Sequence, residues 1–335
     1  MPIYDASELV APINAFSKPT TLALRRANVY RAGMRVLIVG CGYVGVPLGA
    51  ELVRLGHEVF GLRRSPAAES ELQAAGIQPL TGDVTQPETL AKLPCDFDWV
   101  VNCVAAGGNA ENYRAVYLQG TRNLIEWLAP NPPGKFVYTS STSVYAQNDG
   151  SLVTESSPTE PLAETSKILV ETEKVLLAAV AERQFPTVIL RVAGIYGPNR
   201  GHWFKQFMRD AAHIEGDGSH CLNMIHRDDL VGCIIAALKS GQAGEIYNAA
   251  DDEPVSQLHF FQWLAQATNK LLPPSAPENP DAVRRRGATN KRVSNHKLKM
   301  ELGHRFKYPT FRRGYAVELL RLNRAGELPS EPDGR

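Results

Sequence analysis

The stretch Arg35-Val36-Leu37-Ile38-Val39-Gly40-Cys41-Gly42-Tyr43-Val44-Gly45 decides the fold. Val36 to Val39 is a short, largely β-branched run of strand type, and a helical pattern begins after it and continues through Leu55. A G-x-G-x-x-G pattern alone is a weak signal, since glycine-rich turns occur in many α/β proteins. Here a strand precedes it, a helix follows, and a second strand follows at Glu58 to Leu62, which is the context the pattern requires. Each glycine then has a physical task. Gly40 makes the tight turn, Gly42 lets the backbone approach a pyrophosphate, and Gly45 lets the helix pack close to the strand. The N–H groups around Tyr43 and Val44 and the positive helix end are left facing an anion.

Outward from this elbow, short β-branched runs alternate with longer helical patterns as far as Tyr196, the rhythm of βαβ units on a parallel sheet. Strands are expected at Arg35 to Val39, Glu58 to Leu62, Ile77 to Leu80, Asp98 to Val101, Phe136 to Thr139, Thr187 to Arg191 and Glu245 to Asn248. Two long helices are expected, through Tyr113 to Leu128 and from Ser166 to Arg183, and a later one over Asp229 to Leu238 with Asp228 as its N-cap. The fold class is therefore α/β, a parallel sheet built of βαβ units with a smaller C-terminal region around its last strand. Residues 34–200 form the dinucleotide-binding core, completed by a strand at 244–249, and residues 201–320 form the substrate lobe. The segment 1–33 is left out of the fold as a tail without the apolar stretch of a signal peptide, and 321–335 is a second tail.

An NAD site ordinarily places Asp or Glu about 20 residues beyond the first glycine to hold the ribose 2′-OH. This chain has Gly61-Leu62-Arg63-Arg64-Ser65 there. Two guanidiniums suit a 2′-phosphate, so NADP is favoured over NAD, the plainer alternative being two solvated loop arginines. Asp83, in Gly82-Asp83-Val84, is placed to accept from the adenine amino group.

The whole chain has 335 residues with 36 Lys+Arg against 35 Asp+Glu, a formal charge of +1 that gives no electrostatic footprint for nucleic acid. Hydrophobic residues make up 44% and charged residues 21%, as in ordinary globular enzymes. Five cysteines without a C-x-x-C pair suggest free thiols in a cytoplasm. The longest apolar runs are about half of the ~20 residues that span a bilayer, so no membrane partner is expected.

These pieces are joined by Val104-Ala105-Ala106, Gly120-Thr121-Arg122-Asn123-Leu124, Tyr138-Thr139-Ser140-Ser141-Thr142-Ser143-Val144-Tyr145, Leu190-Arg191-Val192-Ala193-Gly194-Ile195-Tyr196-Gly197-Pro198 and Asn223-Met224-Ile225-His226-Arg227-Asp228-Asp229-Leu230. In that order they resemble the extended short-chain dehydrogenase/reductases, specifically the NAD(P)-dependent epimerase/dehydratase family and its atypical branch. The resemblance implies a doubly wound Rossmann sheet of about seven parallel strands with a smaller C-terminal α/β substrate lobe, a nicotinamide dinucleotide contacted by Asp83, Val84, Val104 and Ala105, a small-molecule substrate, and a homodimer through the two long helices. It also implies that Ser141 hydrogen-bonds the reacting oxygen and that Lys167 reaches the nicotinamide ribose.

One departure bears on the chemistry. The superfamily uses a Tyr four residues before a Lys, so that one helix face carries both and the ammonium lowers the phenol pKa. Four residues before Lys167 stands Ala163. Candidates for the missing acid/base are Tyr145, which with Ser141 and Lys167 forms the expected catalytic set, and then Tyr196, Glu164 and His226. Arg284, Arg285, Arg286, Lys291 and Arg292 are candidates to hold an anionic, nucleotide-sugar-like substrate, or are simply a solvated face. No metal site is expected, because no two histidines stand at i, i+4. The expected function is an NADP-dependent oxidoreductase, or an epimerase or dehydratase working by hydride transfer. The alternative is an inactive NADP(H)-binding sensor or scaffold.

Overall fold

The computed structural model describes residues 33–277 and 289–324; the expected N-terminal tail up to residue 32 and the basic trio Arg284, Arg285 and Arg286 lie outside the described residues. Seven parallel strands form the central sheet: β1 (Arg35–Val39), β2 (Glu58–Arg63), β3 (Gln78–Thr81), β4 (Trp99–Asn102), β5 (Lys135–Ser141), β6 (Thr187–Val192) and β7 (Ile246–Ala249). Their spatial order is β7-β6-β5-β4-β1-β2-β3. The order reverses between β1 and β4, and at such a switch point a crevice opens beyond the carboxyl ends of the strands.

β1 shows why a nearly unbroken apolar run was needed. Val36 and Ile38 enter the core on one face of the sheet, and Leu37 and Val39 enter the core on the other. Helices cover both faces, so both sets of alternating side chains are buried. The first face holds Leu48 and Leu52 of α1 (Gly45–Arg54); the second holds Leu124, Ile125 and Leu128 of α2 (Gly120–Leu128) and Leu176 and Ala179 of α3 (Glu164–Arg183).

The helix expected through Tyr113 to Leu128 is interrupted. A short α-helical turn at Ala110–Tyr113 leads into a π-helical stretch, Arg114–Gln119, before α2 begins at Gly120. A Cβ at Gly120 would stand 2.8 Å from Val84 Cγ2, so a larger residue could make this close approach to the turn after β3 only by displacing Val84. Further along the chain, α4 (Arg227–Ser240) is N-capped by His226, whose Nδ1 accepts from Asp228 N–H at 3.1 Å. Asp228, expected as the cap, lies inside the first turn.

Although counted with the lobe in the sequence, α4 packs on the first face of the sheet through Leu230, Cys233 and Ile234. The lobe itself has an aromatic core that includes Tyr196, Phe204, Phe260, Phe261, Phe311 and Tyr315. Strand Ser151–Val153, from before residue 200, pairs with Lys291–Val293. The described structure ends with α5 (Phe311–Arg324), which continues past residue 320, where the second tail was expected to begin. Among the described residues no helix is long and apolar enough to cross a membrane.

Candidate functional site

A cavity of about 600 Å³ runs along the carboxyl ends of the strands. It is lined by Gly40, Gly42, Tyr43 and Val44 from the elbow, by Arg63 and Arg64 at the end of β2, and by Asp83 and Val84 after β3. Val104 and Ala105 follow from β4, and Ser141 and Ser143 from the end of β5. The side chains expected to contact a dinucleotide are thus gathered around one space, apart from Gly45 and Lys167.

The elbow fits a dinucleotide. Gly40 has φ +79°, and a Cβ there would lie 2.7 Å from Val104 Cα, a backbone atom that cannot yield. At Gly42 the nearest atom to an added Cβ is Gly40 O at 3.9 Å, so this face of the turn is open to an approaching phosphate. A Cβ on Gly45 would meet Ile38 Cγ2 at 3.0 Å, so its task is close packing of helix on strand rather than lining. No side chain caps the N-terminus of α1; Val46 N–H is bonded to Gly42 O at 2.8 Å and Pro47 has none, so the N–H groups of Tyr43, Val44 and Gly45 are the ones left to an anion. At the far end, Asp83 Oδ1 accepts from the N–H and hydroxyl of Thr85 at 2.9 and 2.8 Å, which orients the carboxylate while the other oxygen stays available.

Arg63 and Arg64 differ. Arg63 donates to Glu71 Oε2 at 2.8 Å, whereas Arg64 has no ion-pair partner among the described residues. Ser141 accepts from Ser143 N–H at 3.1 Å through its Oγ. Its own hydroxyl hydrogen is thereby left to donate elsewhere.

The structure places the other expected catalytic groups outside the cavity. Tyr145 is fully buried; its hydroxyl donates to Asn248 Oδ1 at 2.7 Å and accepts from Arg191 at 2.9 Å. The Tyr196 ring stacks on Tyr315 at 4.4 Å within the lobe core. His226 is consumed as the cap of α4, and burial lowers its pKa. Glu164 is exposed and lies 3.6 Å from Lys167, whose side chain is 56% exposed. On α3 the residue lining the cavity is Leu169. Two residues turn a helix by about 200°, so Lys167 leaves α3 on nearly the opposite side from Leu169 and is not among the lining residues. One turn before Leu169 stands Thr165, so that face carries neither a Tyr nor a Lys.

The basic stretch also changes meaning. Lys291 is 4% exposed, and its ammonium donates to Tyr145 O at 3.1 Å and Thr289 Oγ1 at 2.5 Å; burial lowers its pKa to about 8. Arg292 donates to Gly150 O at 3.0 Å. Both serve as ties within the chain. Among the described residues no group of three or more His, Cys, Asp or Glu is placed to hold a metal ion.

Among the lining residues that sequence reasoning missed are Tyr113, Tyr117, Leu169 and Arg200. The two phenols come from the interrupted helix, where i, i+4 spacing was the available signal. Tyr117 Oη accepts from Ala106 N–H at 3.2 Å, and burial raises its pKa, so it stays protonated and able to donate at neutral pH. The two rings lie 5.0 Å apart.

The sequence profile of the NAD dependent epimerase/dehydratase family matches residues 36–250. The protein YeeZ of Escherichia coli K12 is 28% identical over 288 residues, covering 82% of this chain and 96% of that protein. A conserved protein of unknown function from Silicibacter pomeroyi superposes with a TM-score of 0.71 at 27% identity, over 88% of this chain and 99% of the other. The UDP-glucuronic acid 4-epimerase of Bacillus cereus, in complex with UDP-glucuronic acid and NAD, superposes with a TM-score of 0.75 at 22% identity, over 87% and 100%. At that identity the likeness shows the shared fold. With its glycine elbow, seven-stranded sheet and switch-point cavity, the chain belongs to the NAD dependent epimerase/dehydratase family, enzymes that work with a nicotinamide dinucleotide.

Proposed function

We propose that this chain is an NADP(H)-dependent oxidoreductase, or an epimerase or dehydratase acting through transient hydride transfer, on a small polar substrate. The observation that carries the reading is that Ser141, Tyr113 and Tyr117 open into the same cavity as the glycine elbow. When bound, the dinucleotide supplies or accepts the hydride. Ser141 donates its free hydroxyl hydrogen to the reacting oxygen. Tyr113 and Tyr117 take the place of the absent Tyr-Lys pair as proton carriers. Val116, Leu169 and Val192 supply apolar wall that keeps water from the reacting carbon.

For the 2′-phosphate, Arg64 is the available guanidinium, while Glu71 holds Arg63 beside it. Lys291 and Arg292 are committed within the chain, which removes them as anchors for an anionic substrate. Pairing of two copies through α2 and α3 would have to accommodate the ion pairs Arg122–Glu171 and Arg183–Glu126 that lie across these helices.

The test is turnover of NADPH with a panel of small ketones, sugars and nucleotide sugars. Ser141→Ala, Tyr113→Phe and Tyr117→Phe are expected to leave dinucleotide affinity in place, and loss of the proton carrier is expected to lower kcat by about 10²–10⁴-fold. The second reading, a sensor or scaffold that binds NADP(H) without chemistry, is favoured by Leu169 as the α3 residue lining the cleft and by Ala163 four residues before Lys167. Folded, dinucleotide-loaded protein that turns over no member of the panel would establish it.

A further inference from the structure

The turn after Tyr196 brings to the cavity a cation that the proposed chemistry does not use. Gly197 and Arg200 each donate an N–H to the other's carbonyl, at 3.2 and 2.9 Å. The turn they close holds Gly197, Asn199 and Gly201 at φ of 140°, 59° and 139°. It is tied down on two sides. The Tyr43 hydroxyl donates to Pro198 O at 3.1 Å, fastening it to the elbow. From α5, Glu318 Oε1 accepts from Asn199 N–H at 3.4 Å and Arg321 donates to Asn199 Oδ1 at 3.2 Å.

This scaffold sets the Arg200 guanidinium 4.8 Å from the centroid of the Tyr43 ring. Arg200 lines the cavity together with Gly40, Gly42 and Val44, and no carboxylate pairs with it among the described residues. Arg227 also approaches Tyr43, at 5.4 Å, but it is ion-paired to Asp228 at 3.0 Å and does not line the cavity. The other cations among the lining residues, Arg63 and Arg64, stand at the end of β2. The charge of Arg200 acts on the phenols of both Tyr43 and Tyr117, opposing the rise that burial causes in each. A cation held by a braced turn over an anion-accepting elbow has a specific use.

We propose that Arg200 clamps the pyrophosphate of the dinucleotide from the side opposite the glycine elbow, in a position set by α5. This rests on the cofactor reading above and extends it to a residue outside the Rossmann fingerprint. The N–H groups of Tyr43, Val44 and Gly45 would satisfy one side of a doubly charged bridge, those of Gly40, Cys41 and Gly42 being bonded within the chain, and a guanidinium would satisfy the side otherwise left to water. An anionic group on the substrate would present similar chemistry, so the probes must separate the two sources.

Calorimetric titration of the full chain with ADP-ribose, which carries the pyrophosphate, and with adenosine 2′-monophosphate, which lacks it, makes that separation. Arg200→Ala is expected to weaken ADP-ribose binding by about 10- to 100-fold, the range of a charge-assisted contact, and to leave adenosine 2′-monophosphate unchanged. Arg200→Lys should restore part of the affinity, and the alanine variant should bind ADP-ribose with a shallower salt dependence. Arg200 is exposed, so both variants should keep the native melting temperature. Unchanged ADP-ribose affinity in Arg200→Ala, with the native chain binding both probes, overturns this proposal alone. A native chain that binds neither probe overturns the cofactor reading as well.

Discussion

Replacing Glu173 by Ala is expected to lower stability by about 3–5 kcal/mol, the cost of stripping one partner from a buried ion pair. Glu173 and Arg191 have side chains only 4% and 5% exposed and meet at 2.7 Å. The carboxylate also accepts from Ser140 Oγ at 2.6 Å, and Arg191 donates onward to Tyr145 and to Glu155 O. The pair thus joins α3, β5 and β6 beneath the cavity. Truncation leaves the guanidinium buried with two neutral acceptors, and the melting temperature should fall by roughly 10 °C for a domain of this size. The double variant Glu173→Leu/Arg191→Met should recover much of the loss, because well-packed apolar groups need no counter-charge. Denaturant unfolding of the three proteins is the check. A loss below about 1 kcal/mol for Glu173→Ala would show the pair to be reached by water and worth only what exposed pairs are worth.

Gly42→Ala should separate folding from binding. An added methyl at this position meets nothing closer than 3.9 Å, so stability should change little. That empty space is the approach to the elbow, and the methyl would intrude between backbone and pyrophosphate. Dinucleotide affinity should drop by about 10- to 100-fold, the 1–3 kcal/mol of a small steric intrusion. Gly40→Ala is the contrasting control: its Cβ would collide with the backbone of Val104 at 2.7 Å, so it should lose stability and binding together. Thermal melts beside binding isotherms distinguish the cases. Native affinity in Gly42→Ala would place the ligand elsewhere.

Most of the central sheet could be read from residues alone because its inner strands are buried on both faces and appear as short runs such as Val36 to Val39. The edges were harder. β5 extends through Ser140 and Ser141, two polar residues that pair with Arg191 and Val192, which only the neighbouring strand reveals. That the elbow, Arg64, Asp83 and Ser141 line one cavity was legible too, because each stands at or just beyond the carboxyl end of a strand. A local Ser-Lys-Ile match says nothing about helix rotation, and with Ile168, Leu169 and Val170 packed inward the Lys167 side chain is exposed. Tyr113 and Tyr117 were hidden in a helix that seemed continuous, whose π-helical stretch adjoins the tight approach of Gly120 to Val84. Arg200 had no local signature, because its importance comes from Tyr43, more than a hundred residues earlier, and from α5 beyond it.

The most direct test of the central claim, that this cavity holds a nicotinamide dinucleotide with its 2′-phosphate beside Arg63 and Arg64, is calorimetric titration of the folded chain with NADPH and NADH. Both should bind, NADPH about tenfold or more tighter, as expected for a guanidinium on a phosphate. Arg64→Ala should remove most of that difference and Arg63→Ala less, because Glu71 already engages Arg63. Equal affinities for the two coenzymes would contradict the NADP assignment, and a correctly folded chain that binds neither would contradict the whole account.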